Sequence, residues 1–234
     1  MKLGHKLGKI FDPDIIASTR EHARRAMHPI SARKMHLQLE QDRSWEALRR
    51  KYPRGGKEVH RFADTRFWIK RNVERAQDLA LDRGPRRHIL DLGCGPGYFL
   101  YVAQQLGHNG IGLDLDEQPI FRDILSLLKV SRITHRIQPR QPLPATEQKF
   151  DLVTSYLTCF HRIERQTDGD WRTWSADDWQ FFIDDARANQ LNDGGMVLLE
   201  FHPQRNGELY SADVGDLFRR NGARLFRSKV FIYR

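Results

Sequence analysis

Glycines alternate at positions 93, 95 and 97 in the stretch Ile89-Leu90-Asp91-Leu92-Gly93-Cys94-Gly95-Pro96-Gly97-Tyr98-Phe99. An apolar run that enters a glycine turn and leaves as a helix is a place to hold the polar end of a ligand. Glycine takes positive φ, or lets a ligand approach the backbone, because it has no Cβ. The helix that follows points unsatisfied N–H groups at whatever sits there. An acid, Asp91, stands two residues before the first glycine. The spacing is G-x-G-x-G, not the G-x-G-x-x-G of dinucleotide-binding turns. Seventeen positions beyond Gly97, Asp114 closes a second apolar run. A carboxylate at such a strand end can accept both vicinal hydroxyls of a ribose. Ser155-Tyr156 closes a third run, where the chain opens into a long connection.

These residues need strands and helices to bring them together. From residue 88 the chain alternates the two. Strands are expected at 88–92, 110–115, 134–138, 150–155 and 196–201, with a strand-like tail over 223–233. Helices are expected after Gly97, over 121–128, after the capping-box-like start Ser175-Ala176-Asp177-Asp178, and over 212–221. Short apolar strands alternating with helices predict an α/β fold, a doubly wound, mostly parallel sheet. Its ligands bind beyond the carboxyl ends of the strands, near the switch in strand order. Before residue 88 the pattern is helical, over 31–52 and about 61–82, separated by the breaker Pro53-Arg54-Gly55-Gly56. The expected division is a basic helical extension, 1–56, followed by one α/β domain, 57–234.

Four segments in order resemble the motifs of class I S-adenosylmethionine-dependent methyltransferases. They are Asp91–Gly97, Gly110-Ile111-Gly112-Leu113-Asp114, Lys149-Phe150-Asp151-Leu152-Val153-Thr154-Ser155, and the run from Leu191 through Asn192-Asp193-Gly194-Gly195-Met196 to Glu200. The resemblance covers about residues 88–201. It implies a seven-stranded-type, Rossmann-like sheet and S-adenosyl-L-methionine as cofactor. It also implies a binding set of Asp91, Gly93, Cys94, Gly95, Gly97, Asp114, Leu115 and Ser155. In that set Gly93–Gly97 approach the methionyl part and Asp114 holds the ribose. Two departures stand out. No acid follows the third strand, where many members meet the adenine. Only about twelve residues follow Gly222, so the far sheet edge is expected to be abbreviated.

Methyl transfer from a sulfonium needs in-line placement, and an oxygen acceptor gains from a base. His161 is the first candidate base, since an unperturbed imidazole titrates near neutrality; a substrate-orienting or surface histidine is the alternative. Tyr156 is the second catalytic candidate, and Glu200 and His202 follow the fifth strand. Cys94 and Cys159 read as packing residues. No metal is expected, because the His and Asp residues lack ligand spacing. The acceptor is read as an oxygen or nitrogen of a small molecule, or of a glycan or metabolite precursor. RNA or protein remains open as an alternative, and so does a non-catalytic cofactor-binding role. The N-terminal helices could form a lid over the cofactor, with Trp45, Phe62, Phe67 and Trp68 shaping a substrate pocket; Trp171 and Trp174 of the 157–178 insert suit an aromatic pocket wall or, alternatively, core packing.

Charge is uneven. Residues 1–87 carry 22 Lys and Arg against 11 Asp and Glu, whereas residues 88–234 are slightly acidic, so the net +9 belongs to the N-terminal third. That segment suits an acidic partner, nucleic acid included, or simply a solvated helical face. The Asn/Asp-Pro-Pro-aromatic signature of base-amine methyltransferases is replaced by Ser155-Tyr156-Leu157-Thr158. No stretch approaches the length of a membrane span, and the basic N-terminus lacks the apolar core of a signal peptide. With two cysteines, a cytoplasmic setting is expected; oligomeric state is not legible.

Overall fold

The computed structural model describes residues 13–27, 29–53, 58–165, 171–202 and 211–234. Helices α1 (Pro13–Met27), α2 (Ala32–Glu40) and α3 (Ser44–Lys51), a 3₁₀ segment (Glu58–Ala63) and α4 (Thr65–Asp78) precede the sheet. The helix expected over 31–52 is two helices, because the Asp42 carboxylate accepts from Ser44 N at 2.8 Å and starts a new one. Asp64 likewise accepts from Phe67 N at 3.0 Å, which caps α4 and separates it from the 3₁₀ segment.

The α/β part follows in chain order as β1 (His88–Leu92), α5 (Tyr98–Gln105), β2 (Asn109–Asp114), α6 (Pro119–Leu128), β3 (Arg132–Thr134) and β4 (Phe150–Tyr156). Next come β5 (His161–Arg165), β6 (Trp171–Thr173), α7 (Ala176–Asp185), β7 (Leu191–Glu200), α8 (Ala212–Arg220), β8 (Arg224–Phe226) and β9 (Lys229–Tyr233). The main sheet has seven strands in the order β3-β2-β1-β4-β7-β9-β8. It is parallel from β3 to β7, and β9 runs antiparallel to both neighbours. The strand order reverses between β1 and β4, which places a ligand crevice at their carboxyl ends.

Three strands differ from expectation. The third is Arg132–Thr134, not 134–138: β2 ends at Asp114, which pairs with Thr134, so the later residues have no ladder partner. The fifth begins at Leu191, and the chain accommodates Gly194 (φ +75°) through a register shift opposite Phe150–Leu152. The tail is a hairpin, β8–β9; the far edge is short, with three residues in β8, yet both strands are present. The insert after β4 adds a two-stranded antiparallel sheet, β5–β6, that the sequence pattern did not reveal.

Side chains alternate across the strands, so the sheet separates two cores. One holds Ile89, Leu152 and Leu198 with α2–α6, and Met35, Leu39, Trp45 and Leu48 of the N-terminal helices join it. The other holds Leu90, Leu92, Val153, Val197 and Leu199 with α7 and α8. Trp174 belongs to that second core: it meets Trp179 and Phe160, each at 4.9 Å between ring centroids. Among the described residues it is a core side chain, 3% exposed. The Trp171 side chain lies outside the described residues. Among the described residues no helix is long and apolar enough to cross a membrane.

The capping box of α7 forms as the sequence suggests. Asp178 accepts from Ser175 N at 2.9 Å while Ser175 Oγ faces Asp178 N at 3.4 Å, and Arg140 Nε donates to the same buried carboxylate at 3.1 Å. Ser175→Ala is expected to lower stability by about 1 kcal/mol, read as a shift in the urea unfolding midpoint. An unchanged midpoint would mean that the Ser175 hydroxyl adds nothing to this helix start.

Candidate functional site

The glycine turn is built by two left-handed steps and a helix start. Gly93 has φ +66° and Gly95 φ +53°, and Gly97, at φ +80°, is the N-cap of α5. The Gly93 amide donates to Leu113 O at 2.7 Å, which ties the turn to β2. Asp114 completes the tie. Its carboxylate accepts from Gly95 N at 2.5 Å and from Leu115 N at 2.6 Å. Burial pushes the Asp114 carboxyl up, and the two amides and Arg132 pull it back. The glycine turn and the expected ribose acid are thus one hydrogen-bonded unit, and Asp114 stays partly exposed.

The glycines are not equivalent. A Cβ on Gly95 would meet only Phe121, at 3.8 Å, so that face has room for a bound molecule. A Cβ on Gly97 would stand 2.6 Å from the Leu125 side chain and 3.2 Å from Val130, so this glycine serves close packing of α5 on α6. Gly97→Ala is expected to cost about 2 kcal/mol through positive φ and overpacking, measured by chemical denaturation. Wild-type stability would show that α6 gives way freely. Gly93 is covered: a Cβ there would overlap the Thr158 side chain, whose hydroxyl donates to Leu92 O at 2.9 Å. Thr158 arrives there because Leu157 takes φ +60° and donates to Glu200 O at 2.8 Å, folding the chain back as β4 ends.

The remaining sequence-predicted residues divide by face. Asp91, Thr154, Tyr156 and Glu200 share the α4 side, in register as Asp91↔Thr154 and Tyr156↔Glu200. Asp91 is buried and accepts from Thr154 Oγ1 at 2.7 Å; burial, first, raises its carboxyl to about 7. Tyr156 has a buried phenol oxygen without a hydrogen-bond partner, and its ring lies 4.0 Å below the Arg75 guanidinium. Burial pushes the phenol well above its usual value, so at neutral pH Tyr156 is a neutral phenol, able to donate a hydrogen bond and not a base. Ser155 faces the α7 side, buried, with Oγ unpaired. Cys94 packs its sulfur against Gly112, and burial pushes its thiol up, which makes it unreactive. Cys159 is exposed rather than packed. His161 opens β5, and its side chain lies outside the described residues. His202 Nε2 sits 3.1 Å from Leu157 O. Among the described residues no three His, Cys, Asp or Glu side chains gather as a metal site.

Residues 59–230 match the family described as a methyltransferase domain. The chain belongs to that family. No curated protein matches it. Among solved structures, the methyltransferase-domain chain is similar to a protein from Pyrococcus horikoshii OT3, at 20% identity and TM-score 0.43, over 58% of this chain and 59% of the other. It is similar to CalS10, an amino pentose methyltransferase from Micromonospora echinaspora with S-adenosylmethionine bound, at 20% identity and TM-score 0.43, over 59% and 52% of the two chains. DesVI of Streptomyces venezuelae matches at 14% identity and TM-score 0.47, over 71% and 91%. The chain thus spans little more than half the length of the first two.

Sequence reasoning missed the cations of this methyltransferase domain. Arg75 of α4 reaches the strand ends, with Nε 3.6 Å from Glu200 Oε2, and Arg71 stands 3.8 Å from the other oxygen. Arg75 is largely buried, and desolvation lowers its pKa. The one signal available was the spacing of Arg71 and Arg75, i and i+4 on a helix, beside the apolar stripe Ile69, Val73, Ala76.

Proposed function

We propose that this methyltransferase-domain protein uses S-adenosyl-L-methionine to methylate an oxygen or nitrogen of a small molecule, or of a glycan or metabolite precursor. The observation that carries the reading is the Asp114 carboxylate on the Gly95 amide, which joins a ribose-type acceptor to a glycine turn at the switch point. The residues fit the cofactor. Gly95 leaves room for close approach, Asp114 has a half-buried carboxylate with lone pairs left for two hydroxyls, and Ser155 keeps a buried hydroxyl without a partner. Gly93–Gly97 and Leu115 would line it by backbone, and Asp91 would face its methionyl end. When bound, the cofactor supplies an electrophilic methyl group on a sulfonium.

The chain's own part is placement. Arg75 holds Glu200 and the Tyr156 ring in one place at the strand ends, which makes a fixed floor beneath the acceptor. His161 remains the proposed base for an oxygen acceptor, and an amine acceptor needs none. Calorimetry with S-adenosylmethionine, followed by methyl transfer from labelled cofactor to an extract fractionated into metabolites, RNA and protein, tests the reading. Label in the metabolite fraction is expected. Absence of cofactor binding would overturn it.

A second reading, RNA or protein as acceptor, draws on exposed Arg33, Lys34, Arg66 and Lys70 of α2 and α4. Removing residues 1–56 is an unsuitable test, since Trp45 and Leu48 are buried in the core. Arg33, Lys34 and Lys70 are exposed, so reversing their charge together is expected to keep the fold, checked by the thermal transition. Salt-dependent RNA binding that this variant loses would favour the second reading.

A further inference from the structure

The connection after β2 takes its path from the neighbouring edge strand. β3 is only three residues long, and its register sets Arg132 beside Gly112 and Thr134 beside Asp114. The Arg132 side chain reaches the carboxyl end of β2. Nη1 donates to Leu115 O at 3.0 Å, and Nη2 donates to the Asp116 carboxylate. The Arg132 side chain is 9% exposed, against 37% for that of Asp116. Asp116 in turn lies 3.3 Å from Arg122 Nε of α6.

These contacts converge on Asp114. Both acceptors of Arg132 belong to the two residues that directly follow it. Leu115 N donates to the Asp114 carboxylate, and Arg132 fixes the other backbone polar group of Leu115, its carbonyl. The Asp114 carbonyl is held as well, accepting from His135 N at 3.0 Å. The Arg132 charge is among the groups that pull the Asp114 carboxyl back down. Through Asp116 and Arg122 the same side chain is linked to α6, whose Phe121 is the neighbour of Gly95. A planar guanidinium fork bridges two acceptors with little loss of freedom, and its charge strengthens both bonds. A short ammonium contact cannot span the pair.

From this geometry we infer that Arg132 is a positioning residue for the nucleoside end of the methyl donor, acting through Leu115 and Asp116 to keep Asp114 aimed at the ribose hydroxyls. The inference rests on the proposed function. It gives β3 a part in the site even though no acid follows that strand.

Calorimetric titration of the full chain with S-adenosylmethionine tests it, in the parent, Arg132→Ala, Arg132→Lys and Asp116→Ala. Arg132→Ala is expected to weaken binding about tenfold. Arg132→Lys keeps the charge and one contact, and is expected to recover part of the loss. Amide hydrogen exchange of the unliganded chains is the second readout. The Gly95 and Leu115 amides, both bonded to Asp114, are expected to exchange faster in Arg132→Ala, while the amides of the β1–β4 ladder keep the parent rates. The inference is overturned if folded Arg132→Ala binds within threefold of the parent, if Arg132→Lys binds no better than Arg132→Ala, or if the Gly95 and Leu115 amides exchange as in the parent. Should the thermal transition show Arg132→Ala unfolded, Arg132→Lys and Asp116→Ala each remove one contact and are expected to weaken binding about threefold; parent-like affinity in both then overturns it. A parent chain that binds S-adenosylmethionine beside variants that bind it equally well defeats this inference alone. A parent chain that does not bind it defeats the proposed function and the donor role together.

Discussion

Asp114→Ala is expected to weaken S-adenosylmethionine binding about a hundredfold, roughly 3 kcal/mol. Two effects add. The carboxylate that would accept the ribose hydroxyls is lost, and hydrogen bonds to a charged group contribute about 1.5–3 kcal/mol each. The amides of Gly95 and Leu115 also lose their acceptor, so the turn is no longer held in its ligand-ready shape. Asp114→Asn, which keeps one carbonyl acceptor, is expected to fall between parent and Ala. Calorimetry on folded protein, checked by its thermal transition, measures the series. An affinity for Asp114→Ala within threefold of the parent would mean that the ribose is held elsewhere.

The second large effect concerns pH. Unfolded, Asp91 titrates near the ordinary carboxylate value of about 3.9; folded, burial raises it to about 7, against the pull of the Thr154 hydroxyl and Arg75. Across that interval the folded chain keeps a proton that the unfolded chain has released, so this group's contribution to stability falls as pH rises. Below about pH 4 both states are protonated and nothing is lost. Above about pH 7 the full penalty, about 4 kcal/mol, is present. Asp91→Asn retains an acceptor for Thr154 and carries no charge. It is expected to be the more stable chain at pH 8 and nearly equal to the parent at pH 4.5, by urea midpoints. Parallel pH profiles for the two chains would show that Asp91 is ionised at no cost. Under the proposed function, Asp91 also gives up its fractional proton when a cationic cofactor group arrives. Binding heats at pH 7 should therefore vary with the ionisation enthalpy of the buffer.

How far the sequence could be read depends on the range of the interaction concerned. The glycine turn, the strand end at Asp114 and the capping box at Ser175 are local patterns, and each forms within a few residues of where its signal lies. The third strand was misplaced because its limits are set by a partner, β2, and not by its own residues. The single helix expected over 31–52 failed at Asp42, whose side chain competes with the helix backbone for an amide. The β5–β6 strands carry no apolar alternation, so nothing local announces them. Trp174 was ambiguous in the sequence: an aromatic in an insert suits a pocket wall or a core, and packing against Phe160 and Trp179 makes it core.

By itself the chain's sequence determined the α/β class, the position of the glycine turn and the identity of the acids that flank it, because strand and turn preferences are short-range and repeat with a fixed period. Tertiary structure alone decided which of those groups meet. Strand register put Asp91, Tyr156 and Glu200 on the side of Arg75 and sent Ser155 to the other, since a shift of one residue reverses a strand's faces. Folding of the N-terminal helices over α4 opened a cavity lined by residues spread over positions 36 to 68; the sequence pointed to Phe67 and Trp68 as pocket residues, and only the fold brought His36, Arg49 and Tyr52 to them.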